Sequence, residues 1–121
     1  MNFELFASLC YAVTMARRLY HPHVDQIDLS MLLGALSDPI RRSIVRRLAR
    51  TRELHCGAFG DEGEKSNLCY HFAKLREAGV IRTRIQGPFR YISLRLDELE
   101  ARYPGLLSSV IAAAEHEEEL V

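Results

Sequence analysis

Several features that would assign a function directly are missing from this chain. Its three cysteines, Cys10, Cys56 and Cys69, show no C-x-x-C spacing of a zinc or redox motif. An odd number of cysteines without a secretory signal favours a reducing cytoplasm over a disulfide scaffold. The uncharged run over residues 5–16 is too short to span a bilayer. We therefore predict a cytoplasmic protein with no membrane partner, no bound metal and no other cofactor.

Catalytic motifs are missing as well. The sequence contains no nucleophile elbow, no phosphate-binding loop and no paired carboxylates in an apolar setting. Of its 121 residues, 48% are apolar and 26% are charged, which is ordinary for a folded protein, and this length suits one domain. We predict a single domain over residues 1–121 that is not an enzyme.

The charge is balanced in total but unevenly distributed. Between Arg41 and Arg95 there are 13 Lys and Arg residues against 5 Asp and Glu, so the two ends of the chain are acidic. A basic middle of this kind can neutralise the phosphates of a nucleic acid. The alternative is a set of solvated helix faces whose charges cluster by chance.

The hydrophobic pattern predicts a mainly α-helical chain with one small β-hairpin. A first helix over residues 3–19 ends at His21-Pro22-His23, because the residue before a proline avoids the helical conformation. The other predicted helices cover residues 28–36, 39–50, 54–59, 66–78, 97 onward and 104–120. Asp28 or Ser30 is the predicted cap of the first of these, Ser37-Asp38-Pro39 begins the second, and the polar segment 60–65 is a predicted turn. Strands over residues 80–85 and 90–96 flank Gln86-Gly87-Pro88-Phe89, a hairpin signal with both glycine and proline and a tight turn at Gln86-Gly87. Ser66 is the predicted cap of helix 66–78, and Gly79 ends that helix.

The helix over residues 66–78 has the two-faced pattern of a DNA recognition helix. Leu68, Phe72 and Leu75 recur at helical spacing and predict a buried face. The opposite face and its flanks carry side chains that can donate to base edges and phosphates in the major groove: Ser66, Asn67, Tyr70, His71 and Lys74. An ordinary amphipathic helix with a solvated face is the alternative for this helix taken alone.

The predicted hairpin is basic. Arg82, Arg84 and Arg90 lie beside its turn, as in a wing that places arginine on the DNA backbone or in the minor groove. A charged sheet edge that keeps the protein soluble is the alternative. Arg41 and Arg42, at the start of the third helix, are candidates for further phosphate contacts. A basic hairpin directly after a polar-faced helix predicts a winged helix-turn-helix fold.

Two stretches of the chain resemble a known family. LLGALSDPIRRSIVRRLAR and KSNLCYHFAKLREAGVIRTRIQGPFRYISL are similar to the opening helices, and to the recognition helix with its wing, of ArsR/SmtB-type bacterial repressors. The family's Ser-x-x-Ser-x-His-Leu pattern is matched except that Cys69 replaces the second serine and Phe72 the leucine. Its Leu-Arg-Glu-Ala-Gly ending is matched by residues 75–79. The resemblance covers about residues 28–110.

The resemblance implies a homodimeric, sequence-specific repressor of transcription that binds double-stranded DNA through a core at residues 28–96. The terminal segments, 1–20 and 97–121, would pair across a two-fold axis and set two recognition helices about 34 Å apart. Apolar side chains on these segments fit such pairing: Phe3, Phe6, Leu9, Tyr11, Leu106, Val110 and Ile111. The alternatives are that these stripes pack on the monomer's own core, and that the domain docks a protein instead of DNA.

The sequence identifies no inducer. The metal sites of the family do not transfer, because the stretch matching its Cys-x-Cys motif is Leu54-His55-Cys56-Gly57. Cys56 and Cys69 flank the turn before the recognition helix, and if they lie close together, oxidation would join them and distort that helix. Small packing residues are the alternative. His21 and His23 are candidate metal ligands across a dimer, but they lack a third ligand.

Overall fold

The computed structural model of the protein describes residues 19–119, with side chains through Glu117. The predicted helix over residues 3–19 lies outside them except for its last residue, which is not helical. Within the described range the chain forms five α-helices, two 3-10 helices and one three-stranded antiparallel sheet. A mainly α-helical fold with a small hairpin is therefore confirmed.

Aspartate caps fix the starts of the first two α-helices. α1 (Leu29–Ala35) follows a 3-10 turn over Val24–Gln26 and begins after Asp28, whose carboxylate accepts a hydrogen bond from a first-turn amide at 2.8 Å. α2 (Pro39–Ala49) begins after Asp38, whose Oδ1 accepts from two amides at 2.8 and 3.1 Å. These amides have no partner inside the helix, and proline loses nothing at the first helical position. Both predicted starts are confirmed.

The segment after α2 differs from the predicted helix over residues 54–59 and polar turn. Leu54–His55 forms a short strand, β1, and a 3-10 helix follows over Cys56–Glu62, so the turn is reduced to residues 63–64. Arg47 of α2 fixes the end of this helix, because its guanidinium donates to two carboxylates and one carbonyl there at 2.9, 3.3 and 2.6 Å. Such a contact between distant residues leaves no local pattern in the sequence.

α3 (Lys65–Ala78) is the predicted recognition helix, but Ser66 is not its cap. The helix begins one residue earlier, with Glu64 at the N-cap position and no hydrogen bond from its side chain. Ser66 instead lies in the first turn. The predicted end is confirmed, since Gly79 adopts a left-handed φ of 88°. A Cβ on Gly79 would lie 2.5 Å from the Ile27 side chain, so close packing also requires glycine here.

Two longer strands form the wing. β2 (Ile81–Gln86) and β3 (Phe89–Leu94) pair in a register that places Gln86 opposite Phe89, which leaves Gly87-Pro88 as the connection. Glycine at φ 60° followed by the fixed negative φ of proline matches a type II′ turn. The prediction of only two strands was wrong, because β1 pairs with β3 and gives the order β1-β3-β2. A strand of two residues is too short to show an alternating pattern.

The last two helices complete the fold as predicted. They are α4 (Leu96–Arg102) and α5 (Leu106–Glu119). The core lies among α2, α3, the sheet and these helices, and its most deeply buried members include Ile44, Leu48, Phe59, Leu68, Leu75, Ile81 and Ile92. On α5, Leu106, Val110 and Ile111 are partly buried against this core. The predicted dimer stripe of the last helix therefore contributes to packing within the monomer.

Candidate nucleic-acid interface

α3 presents one polar face to solvent. Its inner residues Leu68, Phe72 and Leu75 are buried, as the helical spacing predicted. Four predicted groove residues are exposed on the outer side: Ser66, Asn67, Tyr70 and Lys74. Tyr70 is 55% exposed, and the Lys74 Nζ lies 5.4 Å from its ring centroid. These four side chains define the α3 outer face, which carries amide, hydroxyl and ammonium donors on a rigid element.

His71 does not belong to the α3 outer face, although the sequence placed it beside the groove. It is 8% exposed, and its Nδ1 lies 3.2 Å from Nη1 of Arg41 and 4.0 Å from the Asp38 carboxylate. Arg41 also donates from Nε to the carbonyl of Ala35 at 2.6 Å. The pair thus fastens α3 to the junction of α1 and α2. Neither side chain is displayed as a DNA contact, so both predicted roles need correction.

The other arginines of α2 also contact the protein itself. Arg42 donates to the Leu36 carbonyl at 3.0 Å and lies 3.9 Å from the carboxylate of Glu117. Arg50 lies 3.5 Å from the Glu115 carboxylate. The acidic end of α5 thus lies along α2, and charges that are segregated in the sequence are neighbours in the fold. The predicted phosphate contact at Arg42 is accordingly not supported by the geometry.

Two wing arginines are exposed but paired. Arg84 donates to both carboxylate oxygens of Glu53 at 3.2 and 2.8 Å, and its guanidinium lies 4.6 Å from the ring centroid of Tyr91. This hydrogen bond lowers the pKa of Glu53 and raises that of Arg84. Arg82 donates to Glu98 at 2.7 Å. A phosphate can reach these two arginines, but each guanidinium already binds a carboxylate, which reduces its attraction for the phosphate.

Arg90 is not a wing contact, contrary to the prediction. Arg90 lies opposite Ile85 and two residues from Ile92, so the alternation of the strand directs its side chain to the core face of the sheet. It is 8% exposed, and its Nε has no hydrogen-bond partner within residues 19–119. Burial, with a smaller effect of Arg76, lowers its pKa. A two-residue turn fixes the register of a hairpin and therefore which strand residues share a face. That register would have predicted the inward orientation of Arg90.

The two sensor cysteines are not joined to each other. Cys56 is a free thiol at the start of the 3-10 helix and is almost fully buried. Burial raises its thiol pKa, and this outweighs the opposing effect of the nearby Arg90 guanidinium. Cys69 is half-buried on α3. A buried thiol with a raised pKa is a poor nucleophile, so the geometry favours packing as the role of Cys56.

Sequence reasoning missed how the loop before α1 attaches to the wing. β2 is an edge strand, and the Thr83 amide on its open side donates to Nε2 of His21 at 3.0 Å. Arg95 donates to the Pro22 carbonyl at 2.7 Å, and Arg76 to the Tyr20 carbonyl at 3.2 Å. The sequence made His21 a candidate metal ligand. No pattern around His21-Pro22 indicated that it would instead satisfy a backbone donor of a distant strand.

Neither a membrane span nor a metal cluster is found where the structure is described. No helix over residues 19–119 is long and apolar enough to cross a bilayer. Over the same range, no three His, Cys, Asp or Glu side chains come together as a metal-binding group. His23 caps the 3-10 turn through its Nδ1, which accepts from the Asp25 amide at 3.3 Å.

A short helix, a tight turn, a polar-faced helix and a β-hairpin, in that order, define the winged helix-turn-helix class. The comparisons agree. Residues 36–84 match the family described as "Helix-turn-helix domain". Over 89 residues the chain is 39% identical to the uncharacterized HTH-type transcriptional regulator YceK of Bacillus subtilis (strain 168), covering 71% of this chain and 88% of that protein. The chain belongs to the HTH-type transcriptional regulators and is a DNA-binding regulator of transcription.

Proposed function

We propose that this protein is a homodimeric repressor of the ArsR/SmtB type that reads a specific operator with its α3 outer face. The observation that carries the proposal is the exposure of polar groups directly above the buried stripe of the same helix. Asn67 can pair with an adenine edge, and Lys74 with a guanine or a phosphate. Ser66 and Tyr70 can donate to phosphates or bases.

Arg82 and Arg84 extend this interface onto the wing. Both side chains lie on the solvent-facing side of β2. Only two residues, Gly79 and Val80, connect α3 to that strand. Their partners Glu98 and Glu53 are side chains of the same protein, so DNA phosphate competes for guanidinium groups already held in place. The wing therefore adds backbone contacts whose strength depends on that competition.

Dimerisation is proposed from the resemblance and from the last helix. Leu106, Val110 and Ile111 remain partly exposed after packing on the core, which leaves apolar surface for a second copy. A symmetric dimer would place two copies of α3 in successive major grooves of one duplex face. Light scattering on the purified protein tests this proposal, and a monomer at micromolar concentration would contradict it.

Binding to duplexes selected from a random pool by the wild-type protein tests the DNA-binding surface. We expect affinity to fall steeply between about 50 and 200 mM salt, because phosphate contacts release counterions. The double variant Asn67→Ala/Lys74→Ala should bind about 100-fold more weakly, with an unchanged circular dichroism spectrum. Arg42→Ala is the matched control, since this side chain contacts the protein, and it should keep its affinity. Equal affinities of the double variant and wild type would contradict the assignment of the α3 outer face as the DNA-binding surface.

The same assay tests an effector. Because Cys56 is buried and its thiol pKa is raised, we expect Cys56→Ala to show the same DNA affinities as the wild type, both with and without reductant. We also expect no response to zinc. A change of more than about threefold in either comparison would assign a sensor.

A protein-docking module is the second candidate function. One observation favours it: α1 exposes large apolar side chains, namely Leu29, Met31 and Leu33. If the wild-type protein enriches no duplex from the pool at low salt, this function replaces operator binding.

A further inference from the structure

The tip of the wing is uncharged and apolar on both sides. Residues 85–89 read Ile-Gln-Gly-Pro-Phe and contain no ionisable group. Ile85 is 38% and Phe89 44% exposed. Ile85 lies opposite Arg90 and Phe89 opposite Gln86, so the two apolar side chains lie on opposite faces of the hairpin. Pro88 occupies the turn between them.

Phe89 packs against one neighbouring ring despite its exposure. Its ring centroid lies 5.2 Å from that of His55 on β1, with the planes tilted by 60°. His55 in turn contacts Tyr91 edge-on at 5.3 Å. A ring supported on one side and open on the other loses little side-chain entropy when it contacts a partner.

The arginines of the hairpin do not lie at its turn. Arg84 is held by Glu53, Arg82 is held by Glu98, and Arg90 lies on the buried face. The exposed groups at the end of the hairpin are therefore uncharged: Ile85, Gln86, Pro88 and Phe89. This arrangement differs from a wing that advances arginine into the groove.

We propose that the wing tip inserts into the minor groove as an apolar wedge, with Phe89 entering a base-pair step, and that the protein thereby bends its DNA. Apolar side chains inserted between base pairs unstack the step and kink the duplex. The occupant is minor-groove DNA rather than a protein, because only two residues separate the recognition helix α3 from β2, so the hairpin begins where that helix ends. The proposal rests on the proposed function.

Energy transfer between dyes at the two ends of a selected duplex reports the bend, and anisotropy reports affinity. With wild type we expect a shortened end-to-end distance. Phe89→Ala should relax the duplex toward its free length and weaken binding about tenfold, the loss of one stacking contact. Phe89→Leu, which keeps an apolar wedge, should retain the bend. Tyr20→Ala, an exposed aromatic truncation in the loop before α1, is the matched control and should change neither quantity.

The outcomes separate the two proposals. If wild type binds the duplex without bending it, or if Phe89→Ala bends it as wild type does with an unchanged thermal melt, the wedge is overturned and operator binding stands. If the wild-type protein selects no duplex, the proposed function itself fails.

Discussion

The α3 outer face and the arginine-rich face of α2 are both polar helix surfaces in the basic middle of the chain. In the structure they differ in what their side chains contact. Asn67 and Lys74 point to solvent, whereas Arg42 and Arg50 reach carboxylates of α5, and Arg47 reaches those of the 3-10 helix. The density of positive charge therefore does not identify the DNA-binding surface.

The structural role of the arginines should be largest at Arg95. Its side chain is 3% exposed and donates to Glu98 at 3.2 and 2.7 Å. Arg95→Met leaves the partly buried Glu98 carboxylate without the hydrogen bonds that Arg95 donates. The substitution should therefore lower the free energy of unfolding by about 3 kcal/mol. Arg82→Met removes a 54% exposed partner of the same carboxylate and should cost under about 1 kcal/mol. Urea unfolding compares them, and equal losses would contradict a buried structural role for Arg95.

The same charge reversal should weaken DNA binding on one surface and leave it nearly unchanged on the other. Lys74→Glu places a carboxylate on the α3 outer face, where it repels phosphate, and should weaken DNA binding about 30-fold or more. Arg50→Glu makes the same change on α2, and its affinity should stay within about threefold of wild type. Anisotropy at one salt concentration decides. Comparable losses would show that α2 also faces the DNA.

Glu53 competes with DNA for Arg84, so its removal should strengthen binding. Glu53→Gln loses the charge that holds the guanidinium, and affinity should rise about threefold, with the salt slope steeper by about one phosphate. Glu115→Gln is the matched control, because its partner Arg50 lies on the surface that does not bind. An unchanged slope for Glu53→Gln would show that Arg84 makes no phosphate contact.

The smallest effect should come from pH. Burial lowers the pKa of His21 below its ordinary value of about 6.5. His21 in the folded protein thus binds protons more weakly than in the unfolded chain. The stability that neutral His21 contributes is therefore complete above about pH 6.5 and declines as the pH falls below that value. Three guanidiniums also face the ring: Arg76, Arg82 and Arg95. His21→Gln keeps an acceptor for the Thr83 amide without titrating.

Urea midpoints at about pH 7.5 and 5.5 measure this effect. The wild type should lose more stability on acidification than His21→Gln does. Some loss should remain in the variant, because burial also lowers the pKa of His55. Identical losses in the two proteins would show that His21 contributes nothing.

Much of the fold followed from local signals. The aspartate caps, Pro39, the stripe on α3 and Gly79 each act over a few residues, and the structure uses all of them as expected. β1 escaped prediction because two residues form a strand only when β3 is beside them. The 3-10 helix was misjudged because Arg47 binds its acidic end. Both depend on residues far apart in the chain.

The residues of the candidate site were likewise predicted only in part. Side chains that the helical period directs outward, such as Asn67 and Lys74, are exposed as predicted. His71 and Arg90 carry polar groups that suggested exposure, but packing placed them inside. A histidine or an arginine has an apolar body and can be buried when a neighbour or the strand register requires it.

The sequence by itself determined the order of the α-helices and the hairpin, the starts of α1 and α2, the end of α3 and its polar face, because periodicity, capping and glycine conformation are local properties. Only the tertiary structure decided which basic groups are free to meet DNA. Ion pairs form between segments that the fold brings together: Glu115 and Glu117 reach α2, Glu98 reaches the wing, and Glu53 fixes Arg84. Electrostatic interaction depends on distance in space, and distance along the chain does not reveal it.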